Sequence, residues 1–259
     1  MGGSEYWLGQ QFSGLYGAFS PTLTLTKGEL LSGDVITFNI GDLSEGSPGW
    51  LSQSFSLDSM DLRFEVDFND DGLWVPVGQP RFEIIGNLPS HLRIVAPSVV
   101  RPGETVVLRV NVEDQYFNEA SSGPLKLVAK LDGVEVSRAR SVAGNPGRFI
   151  FPPFAAPSEN RAPNYIEVSS VDGDFIGYSN PMMVRPASSP KLFWGEMHGH
   201  EGYTDGNGTP DWYLSYAKDV AFLDYASLTG HDNMLSELHF RDVFRATREY
   251  NKPDEAFGE

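Results

Sequence analysis

Up to about residue 186 the chain alternates apolar and polar positions in short runs, the period-two pattern of half-buried strands. The runs "TLTLTKGELLSGDVITFNIGD" and "MDLRFEVDFNDDGLWVPVG" are broken by glycine and aspartate, with Asp71-Gly72 as a hairpin signal. After about residue 89 the same rhythm continues in "HLRIVAPSVVRPGETVVLRVNVEDQYFN" and in "LKLVAKLDGVEVSRARSV", where Asp132-Gly133 joins two alternating runs. This punctuation predicts two all-β, sandwich-like domains, over residues 1–88 and 89–186. The proline-bearing stretch "RPASSP" then supplies a linker at 187–190. Beyond it the period changes. "KLFWGEM" reads as a compact strand, and "TPDWYLSYAKDVA" as a helix with Thr209 as N-cap, Pro210 in the first turn and apolar residues at helical spacing. "LDYASLT" returns to strand and "LSELHFRDVFRATREY" to helix, so residues 191–259 read as the opening of an α/β domain.

Composition narrows the partners. Nineteen Lys and Arg stand against 35 Asp and Glu, a net charge of −16 that repels phosphate backbones and anionic lipid, so nucleic acid is not expected as a partner. A phosphate-bearing substrate would need a local cation, which a metal could supply. The absence of cysteine removes disulfides and thiolate zinc sites. No apolar stretch is long enough for a membrane span, and "MGGSEYWLGQQ" lacks the layout of a signal peptide. The compartment therefore stays open, leaning to secreted or periplasmic, and both ends read as arbitrary stops. Asp67, Asn69, Asp71 and Gly72 have the spacing that opens an EF-hand loop. The twelfth position is Gly78, where calcium needs a bidentate carboxylate, so a polar hairpin tip is the reading.

Histidine is scarce and clustered: of five, His198, His200, His231 and His239 fall in the last quarter. Alternate residues of a strand share a face, so His198 and His200 can address one metal ion. Asp205 follows in a loop whose glycines, Gly202, Gly206 and Gly208, let it fold back over the strand end. The next strand ends at Gly230-His231-Asp232. If the two strands are parallel neighbours, His231 arrives at the same carboxyl edge, where α/β barrels carry their sites. His239 lies in a helical pattern and His91 among the β-strands; neither is a candidate.

Taken together, "FWGEMHGHEGYTDGNGTPDWYLSYAKDVAFLDYASLTGHDN" resembles the first motifs of PHP (polymerase and histidinol phosphatase) domains, and in particular a PHP-related bacterial domain of unknown function. "NIGDLSEGSPGWLSQSF" and "VNVEDQYFN" are similar to the region before the metal domain in that family, and residues 89–186 resemble the immunoglobulin-like modules that precede many bacterial enzymes. The resemblance implies a distorted β/α barrel with two or three divalent ions (Zn, Mn or Fe) and a hydrolase of phosphoester type. By position His198 and His200 would hold one metal, Asp205 and His231 its neighbour. Asp232 would act catalytically, orienting a ligand or carrying a proton, and Glu196 would be a supporting carboxylate. Two motif positions depart from the pattern: Glu196 stands for an aspartate, and Gly230 for the aspartate of Thr-Asp-His. The family also draws later ligands from segments beyond residue 259, so this chain is expected to carry only part of the site and to be inactive alone.

Two other readings stay open. An amidohydrolase also uses His-x-His on its first barrel strand, although Thr-Asp-Gly and the close Thr-Gly-His-Asp speak against it. A tandem β-sandwich binding or adhesion module with a vestigial metal domain is the other.

Overall fold

In the computed structural model, the described residues are 5–13, 18–62, 64–121, 126–159 and 162–251. The chain forms two compact units, Met1–Ser52 and Gln53–Glu259. In the first, β1 (Glu5–Ser13) and β2 (Ala18–Lys27) pair as an antiparallel hairpin. The backbone then turns on aspartate side chains: Asp34 accepts from Leu31 N at 2.8 Å, and Asp42 accepts from both the N–H and the hydroxyl of Ser44 at 2.9 Å. The alternating run from Val35 to Ile40, read as strand from the sequence, joins no ladder among the described residues, and Val35 is 84% exposed. Period-two patterning makes a strand only where a neighbour completes the hydrogen bonds and covers one face.

The second unit opens with nested hairpins. Of β3 (Leu57–Asp61), β4 (Phe64–Val66), β5 (Val75–Gly78) and β6 (Arg81–Ile84), the inner pair is β4–β5 and the outer β3–β6. Its tip is the polar turn expected at Asp67–Gly72. The Asp67 carboxylate accepts from the backbone N–H groups of Asn69, Asp71 and Gly72 at 2.8–3.2 Å.

Residues from His91 to Val184 carry β7 (His91–Val95), β8 (Val99–Val100), β9 (Thr105–Val106), β10 (Arg109–Glu113), β11 (Lys126–Leu131), β12 (Val134–Val142), β13 (Asn145–Ile150), β14 (Phe154–Ala155), β15 (Ile166–Ser170), β16 (Ile176–Tyr178) and β17 (Met183–Val184). Seven of them form one antiparallel sheet in the order β16-β15-β11-β12-β13-β10-β7, with β8–β17 and β9–β14 as short side ladders. The β-rich architecture agrees with the sequence reading. The sheet curls until its edges meet: a Cβ on Gly177 in β16 would stand 2.9 Å from Ile94 Cδ1 in β7, so the result is nearly a closed barrel. Val110, Leu127, Ala129, Phe149, Phe151, Ile166 and Val168 fill its interior at 0–1% exposure. Each large side chain so buried contributes roughly 1.5–3 kcal/mol.

The C-terminal segment is fastened to this sheet. Arg101 donates to the carbonyls of Pro186 and Ser189 at 2.7 and 2.6 Å, which pins the residues read as linker. Lys191 pairs with Glu104 at 2.5 Å, and Trp194 Nε1 donates to Ser98 Oγ at 2.9 Å. On the outer face of β10, Asn111 donates to the Val220 carbonyl at 3.0 Å. Beyond the linker, β18 (Gly195–Gly199) and β19 (Tyr225–Leu228) lie parallel, as expected for successive βα units. They make a two-stranded sheet, not a barrel. Helix α1 (Pro210–Ser215) starts as the sequence indicates, with Trp212 N donating to Thr209 Oγ1 at 3.1 Å, and runs into a π-turn at Tyr216–Val220. Helix α2 (Glu237–Tyr250) follows β19. No helix among the described residues is long and apolar enough to cross a membrane.

Candidate metal centre

Three of the four expected ligands come together at the carboxyl ends of the parallel strands. His200, Asp205 and His231 each offer an atom within 4.8 Å of the others. The backbone explains the convergence. Thr229 N donates to the Gly199 carbonyl at 2.8 Å and holds the two strand ends in register, so His200 and His231 leave the sheet side by side. Their ring centroids are 4.8 Å apart. Between them the loop closes on itself: Gly202 N donates to the Gly208 carbonyl at 2.8 Å and Gly206 N to the Glu201 carbonyl at 3.2 Å. That fold-back carries Asp205 over the strand ends.

Asp205 bridges the two imidazoles. Oδ1 bonds His200 Nδ1, and Oδ2 lies 3.3 Å from His231 Nε2. The hydrogen bond from His200 holds the Asp205 carboxyl below the usual carboxylate range. With Nδ1 donating to an ionised Asp205, the lone pair of His200 sits on Nε2, which is buried and has no hydrogen-bond partner among the described residues. A carboxylate fixing the tautomer on one imidazole nitrogen while the other stays bare is how metal-binding histidines are prepared.

His198 does not belong to the trio, although its ring centroid is 4.8 Å from that of His200. The register of β18 against β19 slips between Glu196 and Gly199, which breaks simple face alternation. Glu196 is spent on that irregularity, accepting from His198 N at 2.8 Å. Asp232 is exposed and opens a 3-10 turn outside the trio.

No family model matches the chain. It is 24% identical over 256 residues to an uncharacterized protein of Chlamydia muridarum (strain MoPn / Nigg), an alignment taking in 92% of this chain and 40% of that relative. The chain thus spans about two-fifths of the length of the curated relative it matches. That similarity carries no assigned chemistry, and any functional reading rests on the residues.

Two clefts flank the trio. One, of about 360 Å³, is lined by His200 and by the aromatic side chains of Phe55, Tyr116, Trp212, Tyr213 and Tyr216. The other, of about 420 Å³, lies against Glu201, Gly230 and Asp232. Glu201 is a residue the sequence gives no reason to single out: it is 0% exposed, and neither carboxylate oxygen has a hydrogen-bond partner among the described residues. His91, which the sequence does not mark as a site residue, joins Arg93 in bonding the buried Glu113. His239 has a local role, as expected. It forms the capping box of α2 with Ser236 and stacks on Tyr203 with centroids 4.3 Å apart.

Proposed function

We propose that the chain is the N-terminal portion of a PHP-like metal-dependent hydrolase acting on phosphoesters, with β-domains at 1–88 and 89–186 ahead of the metal domain. One observation carries the reading: three donor atoms within 4.8 Å of one another include an imidazole whose Nε2 is buried and bare while its Nδ1 is held by Asp205. A donor set of two imidazoles and a carboxylate suits Zn, Mn or Fe. A divalent ion bound there would supply local positive charge for phosphoryl oxygens on a chain of net charge −16. The protein's own part is positional. Asp205 fixes the His200 ring, the strand register sets His231 beside it, and His198 stands near enough to His200 to join the same ligand shell or an adjacent one. Asp232, next to His231, orients a ligand or carries a proton. Hydrolysis belongs to the longer protein, in which later segments complete the ligand set.

Calorimetric titration of Mn²⁺ or Zn²⁺ into this chain tests the reading. The chain should bind one ion, and His200→Ala and Asp205→Asn should each weaken it by roughly 10- to 100-fold, as the loss of a ligand or its orienting partner does. Equal affinity in all three proteins would sink the proposal. The chain alone should leave an aryl phosphodiester intact while the longer protein hydrolyses it.

A further inference from the structure

Where the curled sheet meets the turn at Tyr216–Val220, one arginine serves two carboxylates. Arg148, on β13, donates from Nη2 to Glu119 Oε2 at 3.2 Å, and its Nη1 lies 3.6 Å from Asp219 Oδ2 on the turn. Its Nε is buried and has no hydrogen-bond partner among the described residues. A guanidinium devoted to one carboxylate commonly gives it two parallel bonds of about 2.7–2.9 Å. Neither Glu119 nor Asp219 receives that fork. The neighbouring charges are engaged elsewhere. Arg93 and His91 bond Glu113, Tyr216 of the turn lies near Arg93 and Glu113, and Arg109 faces Asp224 and Asp219.

Glu119 is held in place by bare backbone. A Cβ on Gly147 would stand 2.7 Å from Glu119 Cγ, and one on Gly86 would stand 2.1 Å from the Glu119 carbonyl oxygen. Its side chain is 19% exposed against 41% for Asp219, so water can bring it a proton but hydrates its charge less well. Burial, and behind it the charges of Asp219 and Glu113, push the Glu119 carboxyl up against the pull of Arg148. We propose that Glu119 is a proton-operated release for the turn. Protonated from solvent, it gives up Arg148, which closes on Asp219 and holds the turn to the sheet; ionised, it draws the guanidinium away and loosens the turn. Because the turn delivers the chain into β19, acidification steadies that strand. The sign follows from linkage. A carboxyl raised in the closed form favours closure below its ordinary range, near about pH 4.3, and that contribution is lost as pH rises through the raised value. The device is independent of the hydrolase reading.

Hydrogen exchange at Leu223 N, which donates to the Ala217 carbonyl at 2.8 Å, reads whether the turn is closed. Protection factors are measured by NMR on the metal-free chain from about pH 5 to about pH 8, and the comparison with variants cancels the response of the other acids and histidines. In the parent chain protection should fall several-fold as pH rises, with a slope no steeper than the roughly tenfold per pH unit of a single proton. Glu119→Gln should remove that slope and leave Leu223 better protected than in the parent at the upper end. Asp219→Asn removes the carboxylate on which Arg148 closes, so it should stay near the parent's high-pH level with little slope. A Glu119→Gln chain that keeps the parent's slope overturns the proposal. So does one that is less protected than the parent throughout, which would make Glu119 an anchor of the turn. Should Glu119→Gln fail to fold, Asp219→Asn decides, and the parent's full slope in that variant overturns the proposal.

Discussion

Substituting Gly206 by alanine tests how the loop holds the site. The φ of Gly206 lies outside the left-handed region, so the penalty is contact and not backbone strain. An alanine Cβ would stand 2.1 Å from the His200 carbonyl oxygen, 2.3 Å from its carbon and 2.8 Å from Glu201 N. These are backbone atoms just past the end of β18, and no rotamer change relieves them. Reaching ordinary contact near 3.4 Å takes about 1.3 Å of movement from that oxygen. The bond from Gly206 N to the Glu201 carbonyl, already 3.2 Å long, does not survive such a shift. Overpacking costs about 1–3 kcal/mol and the lost hydrogen bond about 1 more. At roughly 2–4 °C per kcal/mol for a unit of this size, the melting temperature should fall by about 5–15 °C. Asp205, the preceding residue, moves with the loop, so metal affinity should fall as far as in Asp205→Asn. Asp205 is exposed, so Asp205→Asn itself should melt close to the parent chain. Thermal unfolding followed by near-ultraviolet circular dichroism, with metal titration of the same samples, reads both effects. A Gly206→Ala chain that melts and binds metal like the parent would refute the account of the loop.

Two further outcomes are expected. Phe149 is 1% exposed inside the curled sheet, so Phe149→Ala should lower unfolding stability by about 3–5 kcal/mol in urea; a loss below about 1 kcal/mol would mean that the interior closes over the cavity. The Tyr203 hydroxyl is pushed up to about 12 by desolvation and by its hydrogen bond to Asp242. From about 10 in an unfolded chain, its proton is held more tightly in the fold, so this stability is complete below pH ~10 and lost as pH rises toward 12. Tyr203→Phe should flatten the fall in melting temperature over that interval, and an unchanged slope would remove Tyr203 from the account.

Local signals in the sequence translated well where the chemistry is local. Asp132-Gly133 makes the β11–β12 turn with φ of 50° and 79°, the doubly positive conformation that favours this pair. Thr209 and Pro210 start α1, and the glycines of the 202–208 loop close it. Long-range consequences were not legible. In "VNVED" the alternation suggests that Asn111 and Glu113 face water, yet both are 0% exposed, because residues 216–222 and the side chains of His91 and Arg93 cover that face. A glutamate in a glycine-rich loop reads as solvated, and nothing in its neighbours marks Glu201 as buried. Gly230 reads as a lost carboxylate; in the structure a Cβ there would press on Thr204 and on Glu201 itself.

The covering of β10 also bears on how His200, Asp205 and His231 are brought together. Phe222 adopts φ 57°, a conformation disfavoured for an aromatic residue, and it persists because the surroundings fix it. Its side chain is 7% exposed, Leu223 N donates to the Ala217 carbonyl at 2.8 Å, and the Arg109 guanidinium stands 6.0 Å from its ring centre. Asn111 holds the Val220 carbonyl, and Arg148 lies 3.6 Å from the Asp219 carboxylate. This turn delivers the chain into β19, whose far end carries His231. Arg109, Asn111 and Arg148 belong to β10 and β13, so the curled sheet sets the direction of β19. Trp194, bonded to Ser98, anchors β18 in the same way. Two strands alone would be free to slip, and a slip of one residue would exchange the faces of the strand and separate His200 from His231. The β-region therefore acts on the site as a jig for the register of β18 and β19, a role that a detachable module joined by a loose linker could not fill.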